Sequence, residues 1–310
     1  MKKKILLAMV CVVALTLVLG SCAKKKSTYS IGFAVQDLSN PTWGGTAEEL
    51  NRLVTADGGE FTFMDTKNPN EQIKQIENLI TKGVDAIVIH VADPASLEGV
   101  LGEARKAGIK VFSWDTDIQN SDANWLISNY ELGRAIGTQA ANWINEKLGG
   151  TTEYAVLNYD TEAILKERGD GIRDAMSELA PGAVKVADQS AINAREGQQQ
   201  AETILQAYPA LRVIACIGGG GAVGANNAVK GAGRLTDDFG IFAADATEEE
   251  VVAIESNEAV RMSILISGSP KKNAGIIYGY LKQLLAGEQL EKRIMRDLIP
   301  ITSVNVSEAR

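Results

Sequence analysis

Residues 84–91, VDAIVIHV, form an apolar run with hardly a polar interruption. A strand with one wet face alternates apolar and polar residues. An unbroken run of this length instead belongs to a strand buried on both faces, as in a parallel sheet sandwiched between helices. Further strands are predicted at 29–35, 60–64, 109–114, 153–158, near Val184, and at 211–217, 239–244 and 260–266. Helical segments fall between them, at 46–56, 70–82, from Pro94 to just before Gly108, and at 131–148, 165–179, 195–208 and 271–286. In the second of these Ile73, Ile76, Leu79 and Ile80 share one face. Proline at a helix start and glycine just past its end are the expected punctuation. Alternation of this kind builds parallel sheets with right-handed crossovers, and so many strands fill two sheets. No low-complexity linker separates the halves. The expected fold is therefore α/β, with two lobes joined by a hinge of several crossing strands.

The amino end decides where such a domain works. Lys2, Lys3 and Lys4 precede an apolar stretch at 5–19, short for a membrane span and placed where a secretory signal sits. Leu19-Gly20-Ser21-Cys22 then has the form of a bacterial lipobox. Residues 1–21 are expected to be removed and Cys22 to carry lipid, with 22–28 as a tether. Acyl chains hold a soluble domain at a membrane surface, each buried methylene adding about 0.8 kcal/mol. Loss of three lysines takes 31 basic residues to 28 against 39 acidic ones, a net charge of −11. An acidic chain without a basic block is not built for nucleic acid. Cys11 lies in the signal and Cys22 at the lipid site, which leaves Cys216 without a disulfide partner and reads it as a small buried hydrophobe.

In open α/β sheets ligands bind outside the carboxyl ends of the strands, and there this sequence collects polar and aromatic groups. Asn40-Pro41-Thr42-Trp43 follows the first strand, and Asp115-Thr116-Asp117 follows 109–114. Arg168 lies beyond 153–158, Asn193 beyond the strand near Val184, and Asp245 directly after 239–244. Singly each has a plain reading: turn chemistry for Asn40-Pro41, helix caps for Asp115 and Asp245, a solvated charge for Arg168. Together they match a polyhydroxylated ring. Carboxylates and amides bridge adjacent hydroxyls, a guanidinium donates to two oxygens, and an indole such as Trp43 covers an apolar C–H face.

With these residues the chain resembles the ribose, glucose and galactose branch of periplasmic binding proteins, whose lobes recur in LacI-type repressors. The resemblance runs over the mature chain. Its carriers are Ser39-Asn40-Pro41-Thr42-Trp43, the Asp115–Asp117 stretch, Ser128-Asn129-Tyr130-Glu131-Leu132-Gly133, Glu167-Arg168-Gly169 and Phe242-Ala243-Ala244-Asp245. It implies a type I periplasmic binding protein, with two Rossmann-like lobes and a three-strand hinge. One lobe would take 29–128 and 267–299, the other 129–266 and 300–310, with crossings near Ser128-Asn129, Ile266-Ser267 and Ile299-Pro300. It implies ligand contacts from Asn40, Thr42, Trp43, Asp115 and Thr116 or Asp117 on the first lobe. Arg168, Asn193 and Asp245 would contribute from the second. The function it implies is that of an extracytoplasmic, membrane-anchored monomer, no enzyme and without cofactor or metal, that captures a hexose or pentose and delivers it to an ABC transporter permease. The sequence departs from ribose-type members at Thr116, where they carry arginine. It departs again at Gly218-Gly219-Gly220-Gly221, where they carry asparagine, and at Ile266-Ser267, which lacks their glutamine. Hexose, pentose, polyol and furanosyl signalling molecule all stay open.

Other readings compete. Gly219–Gly224 satisfies G-x-G-x-x-G after a strand, with Asp245 about twenty residues on, the spacing of a dinucleotide site. An NAD-dependent enzyme is thus one alternative, although export leads away from the cofactor. The same glycines could bring backbone close to a ligand or open room in a pocket. A sugar-sensing lipoprotein for chemotaxis or signalling is another alternative, and the export signal stands where a repressor would carry its DNA-binding helices. His90, the one histidine, ends an apolar strand with no second ligand nearby and reads as structural.

Overall fold

The protein is described for residues 28–38 and 41–309 by a computed structural model. The signal segment 1–21, Cys22 with most of the tether, and Asn40 lie outside the described residues. Among the described residues no helix is long and apolar enough to cross a membrane.

Two six-stranded sheets organise the chain. The first contains β1 (Ser30–Val35), β2 (Glu60–Asp65), β3 (Ala86–Ile89), β4 (Lys110–Trp114), β5 (Ala123–Leu126) and β11 (Arg293–Met295). Its order is β11-β5-β4-β3-β1-β2 and every pairing is parallel. The second holds β6 (Glu153–Asn158), β7 (Val184–Ser190), β8 (Leu211–Cys216), β9 (Gly240–Ala244), β10 (Val260–Ile266) and β12 (Leu298–Ile301), ordered β12-β10-β9-β8-β6-β7. Only β12 runs antiparallel.

The uninterrupted apolar runs have the expected cause. Successive side chains leave a strand on opposite faces, and here both faces are covered. Ile31, Phe33 and Val35, with Ala86, Val88, Phe112 and Trp114, enter one core of the first lobe. Ala34, Ile87, Ile89 and Val111 enter the other. In the second lobe Ala155, Leu157, Ile214 and Cys216 face one core, and Tyr154, Val156, Val213 and Ala215 the other. Cys216 is a free, fully buried thiol, and burial pushes its pKa upward.

The helices start and stop on local signals. α1 (Pro41–Ala56) begins five residues before the periodicity shows, because Gly44 and Gly45 dilute it. Those glycines are steric requirements: a Cβ on Gly44 would lie 2.3 Å from Leu38 O, and one on Gly45 would lie 3.0 Å from the Pro270 side chain. α2 (Pro69–Lys82) is capped by Asn68 and closed by Gly83 at φ 68°, and α3 (Pro94–Lys106) is capped by Asp93. α4 (Asn129–Leu148), α5 (Ala163–Leu179), α6 (Ala194–Ala207), α7 (Gly219–Gly231) and α8 (Glu248–Glu255) cover the second sheet. α9 (Pro270–Leu285) returns to pack on the first lobe.

The chain passes between lobes three times. β5 leads into α4 through Ile127 and Ser128, β10 leads to α9 through Ser267, and β11 leads to β12 through Arg296 and Asp297. This third passage comes earlier than Ile299-Pro300, where the sequence reading places it. The reason is that Ile299 and Pro300 already pair with Leu265 and Ile264 of β10. Proline is admissible there because β12 is an edge strand.

Candidate functional site

The carboxyl ends of both sheets meet at the three passages, and a cavity of about 300 Å³ lies between them. Thr42 and Trp43 line it from the start of α1, Trp114 and Asp115 from the end of β4, and Asp245 from the end of β9. Ile127, Leu265, Ile266, Gly268 and Arg296 of the passages complete the lining. Hollows of about 570 and 430 Å³ elsewhere are confined to one lobe and sit by the amino ends of β4 and β10, around Lys110 and Glu258. They lack the convergence of strand ends that marks binding crevices in α/β sheets.

Backbone strain concentrates at the same place. Five non-glycine residues among those described have positive φ: Asp115 (62°), Asp245 (94°), Ala246 (45°), Asn257 (52°) and Ser267 (65°). All except Asn257 border the cavity or adjoin it. Residues held in this region cost of order 1–3 kcal/mol each and gather at ligand sites, where surrounding structure fixes them. Asp115 is pinned through its N–H to Trp125 O (2.8 Å), Asp245 to Ile264 O (2.9 Å), and Ala246 N donates to Ser263 Oγ (2.9 Å).

On the first lobe Asp115 accepts from Arg296 Nη1 at 2.6 Å, and its other oxygen faces His90 Nε2 at 3.9 Å. The imidazole has a defined role. The Gln36 amide nitrogen lies 2.6 Å from Val91 O and 3.2 Å from His90 Nδ1, so Nδ1 accepts and Nε2 carries the proton, aimed at Asp115. Burial holds the His90 pKa below its ordinary value, with Asp115 opposing. The ring also supports Trp43 at a centroid distance of 4.1 Å. His90 is structural, as its sequence context indicates, but it props up both the indole and the carboxylate of the cleft.

On the second lobe Asp245 accepts from Gly219 N (3.0 Å) at the amino end of α7 and lies 4.0 Å from Arg168. Arg168 donates to Asn129 Oδ1 (2.8 and 3.1 Å) and to Ile217 O (2.8 Å), and burial lowers its pKa. It backs Asp245 and is not part of the cavity wall.

Besides Arg168, three residues of the expected set do not line the cavity. Asp117 turns away from the cavity to accept from Asn124 Nδ2 (2.8 Å) and Arg293. Asn193 caps α6 by accepting from Glu196 N at 3.0 Å. Thr116 gives its carbonyl to Ser113 Oγ (2.6 Å). Arg296 was not anticipated from sequence. It lies in a short segment without periodicity, 181 residues from the carboxylate it pairs with.

The glycine run is accounted for by packing. A Cβ on Gly220 would fall 2.4 Å from Ile192 O, one on Gly224 2.1 Å from Ala194 O, and one on Gly219 2.5 Å from Glu250 Oε2. The glycines let α7 lie against the backbone before and within α6, and the resemblance to a dinucleotide fingerprint is incidental.

Glu250 sits directly beneath. It closes a capping box with Thr247, whose N–H donates to Glu250 Oε2 at 2.8 Å. Burial, and then the charge of Asp245, push its pKa up to about 8. An acid with a raised folded pKa contributes full stability below its unfolded value of 4.5 and loses it as pH climbs towards 8. Glu250→Gln should therefore be more stable than the parent at pH 8.5 by a few kcal/mol, since each tenfold change in proton affinity is worth about 1.4 kcal/mol. The advantage should shrink towards pH 4.5. Urea midpoints across that range measure it, and parallel curves for the two proteins would refute it.

The comparisons with known proteins agree with this geometry. The family model described as "Periplasmic binding protein domain" matches residues 31–289. The ribose import binding protein RbsB of Bacillus subtilis is 22% identical over 276 residues, 88% of this chain and 87% of that one. A xylitol-binding protein of Mycolicibacterium smegmatis is 23% identical over 293 residues, 94% of this chain and 82% of that one. The fold is shared with an ABC transporter periplasmic solute-binding protein of Actinobacillus succinogenes with bound D-allose. There the TM-score is 0.72 and the identity 18%, covering 90% of this chain and 99% of that one. With two parallel-sheet lobes, a cleft at their joined strand ends and a family match over most of its length, the chain belongs to the periplasmic binding protein family and is a binding protein, not an enzyme.

Proposed function

We propose that the chain captures a monosaccharide, hexose or pentose, in the interlobe cleft and delivers it to an ABC importer from an extracytoplasmic position, held to the membrane by lipid on Cys22. The observation that carries this reading is the cavity of about 300 Å³ between Trp43, Asp115, Asp245 and Arg296. Ligand pockets span roughly 300–1,000 Å³, and this one suits a single sugar ring. Its wall offers two indoles, two carboxylates and a guanidinium, the groups that hold an apolar ring edged with hydroxyls. Relatives named for ribose and xylitol, and a similar fold holding allose, support the ligand class. Closure of the lobes about the three passages would present the loaded form to the permease.

The test is thermal unfolding of the domain from residue 28 onward against hexoses, pentoses, polyols and dinucleotides. A ligand at a hundredfold its Kd stabilises by about 2.7 kcal/mol, so one sugar or polyol should raise the Tm by several degrees. A shift with NAD alone, or with no compound, would reject the reading.

A further inference from the structure

Arg296 reaches the cleft from the passage between the lobes. β11 ends at Met295 in one sheet and β12 begins at Leu298 in the other. Its N–H donates to Leu126 O (2.8 Å), while the next carbonyl, Asp297 O, accepts from Ser267 N (2.9 Å). The third passage is thereby tied to the strand before the first and to the second.

The side chain is only 4% exposed, yet it lines the cavity. It donates from Nη1 to Asp115 Oδ1 (2.6 Å), from Nε to Ser267 Oγ (3.1 Å) and from Nη2 to Ile266 O (3.1 Å). The guanidinium carbon stands 4.5 Å from the Trp125 ring centroid and 5.7 Å from that of Trp114. A guanidinium has five N–H groups, two on each Nη. Nε has spent its one and each Nη one of two, so a single N–H on each Nη is left without a partner among the described residues. Asp115 Oδ2 likewise has only His90 near it among the described residues, at 3.9 Å. Beside the cavity stand two charged donors and one carboxylate oxygen. A lysine could pair with Asp115, but only a planar fork reaches carboxylate, hydroxyl and carbonyl together and still offers two N–H groups.

We propose that Arg296 is a ligand-contacting residue, donating its two spare N–H groups to oxygens of two adjacent ligand hydroxyls while Asp115 Oδ2 accepts from one of them. This rests on the sugar-binding reading above. The ligand class narrows accordingly to sugars and polyols that present a vicinal pair to the passage. Because the same guanidinium holds Ile266 O and Ser267 Oγ, the bound ligand also braces the second and third passages against each other. Recognition and hinge geometry then depend on one side chain.

Calorimetry decides it, using the best sugar of the panel and its monodeoxy analogues on the parent and on Arg296→Lys. The substitution should weaken the parent sugar at least tenfold, the loss expected for a charged hydrogen bond. Two analogues, deoxy at adjacent positions, should bind the parent protein poorly yet lose little further affinity on Arg296→Lys. If Arg296→Lys weakens every compound by one common factor, the residue is merely structural and the proposal falls. It falls equally if Arg296→Lys binds like the parent. Arg296→Gln, which keeps an amide donor towards Asp115 but carries no charge of its own, repeats the comparison should the lysine variant fail to fold. If no sugar or polyol binds the parent protein, the sugar-binding reading fails and this proposal with it. Sugar binding with an unchanged deoxy pattern overturns this proposal alone.

Discussion

Asp115→Ala lowers the affinity for the sugar at least tenfold and, separately, destabilises the unliganded protein. The first effect is the loss of a charged hydrogen-bond acceptor from the cavity wall, worth about 1.5–3 kcal/mol, or roughly 10- to 150-fold in Kd. The second follows from Arg296. Its guanidinium is 4% exposed and has Asp115 as its carboxylate partner at 2.6 Å. Breaking a buried pair by removing one member leaves an uncompensated charge and costs about 3–5 kcal/mol. The left-handed backbone adds strain, since alanine gains nothing at φ 62° that an aspartate side chain supplies. Asp115→Asn separates the two effects. Asparagine tolerates the same φ and still accepts from Arg296, though without compensating its charge, so stability should fall less than with alanine, whereas the charge that strengthens the ligand bond is gone. Urea unfolding of both variants and calorimetry with the sugar give the four numbers required. Unchanged affinity in Asp115→Ala would remove this carboxylate from the site, and unchanged stability would show that Arg296 does not depend on it.

The same carboxylate shows what the sequence could disclose. Strands buried on both faces announce themselves, because two covered faces erase the polar half of the alternation; β3 and β8 are examples. β5 (ANWL), β11 (RIM) and β12 (LIPI) do not. They are three or four residues long, and their strand character comes from partners far along the chain, such as Arg293 opposite Asn124. The site divides along the same line. Asp115 and Asp245 lie on the cavity wall because each directly follows a strand of a parallel sheet, and Thr42 and Trp43 reach it from the start of α1, the helix after β1. Sequence spacing cannot reveal that the chain reverses hand at Asp115, so that Asp117, two residues on, faces Asn124 and Arg293 at the edge of the sheet. Asn193 satisfies the strand-end rule as well, yet its amide is consumed in capping α6. Arg296 escapes because it follows a strand too short to see. The glycines at 218–221 advertise a nucleotide when read as a string, while Cβ atoms added there would meet Asp245, Glu250 and the Ile192 and Ala191 carbonyls.

A related steric constraint on the second lobe gives the other large expected effect. Gly133→Ala should cost about 3 kcal/mol or more and weaken sugar binding as well. An added Cβ would stand 1.9 Å from Arg168 O, and the reciprocal contacts are nearly as close: Gly171 to Tyr130 O at 2.1 Å, and Gly137 to Ile172 O at 2.7 Å. These neighbours are backbone carbonyls, so no rotamer can relieve the clash and α4 and α5 must separate along their crossing. Overpacking of a close-packed contact costs typically 1–3 kcal/mol and occasionally more, and a backbone-to-backbone clash belongs at the upper end. Binding suffers because the displaced carbonyl belongs to Arg168 itself, whose guanidinium is held between Asn129 on α4 and Ile217 at the end of β8. If the helices part, Asp245 loses the charge behind it. Gly99→Ala on α3 is the control, since nothing lies within 4 Å of its added Cβ. That change should stabilise by about 0.5–1 kcal/mol, the ordinary gain of alanine over glycine in a helix. Opposite signs for one chemical change separate contact from propensity. Equal stability in the two variants would mean that α4 and α5 yield freely, and Arg168 would then lack the rigid seat from which it steadies Asp245.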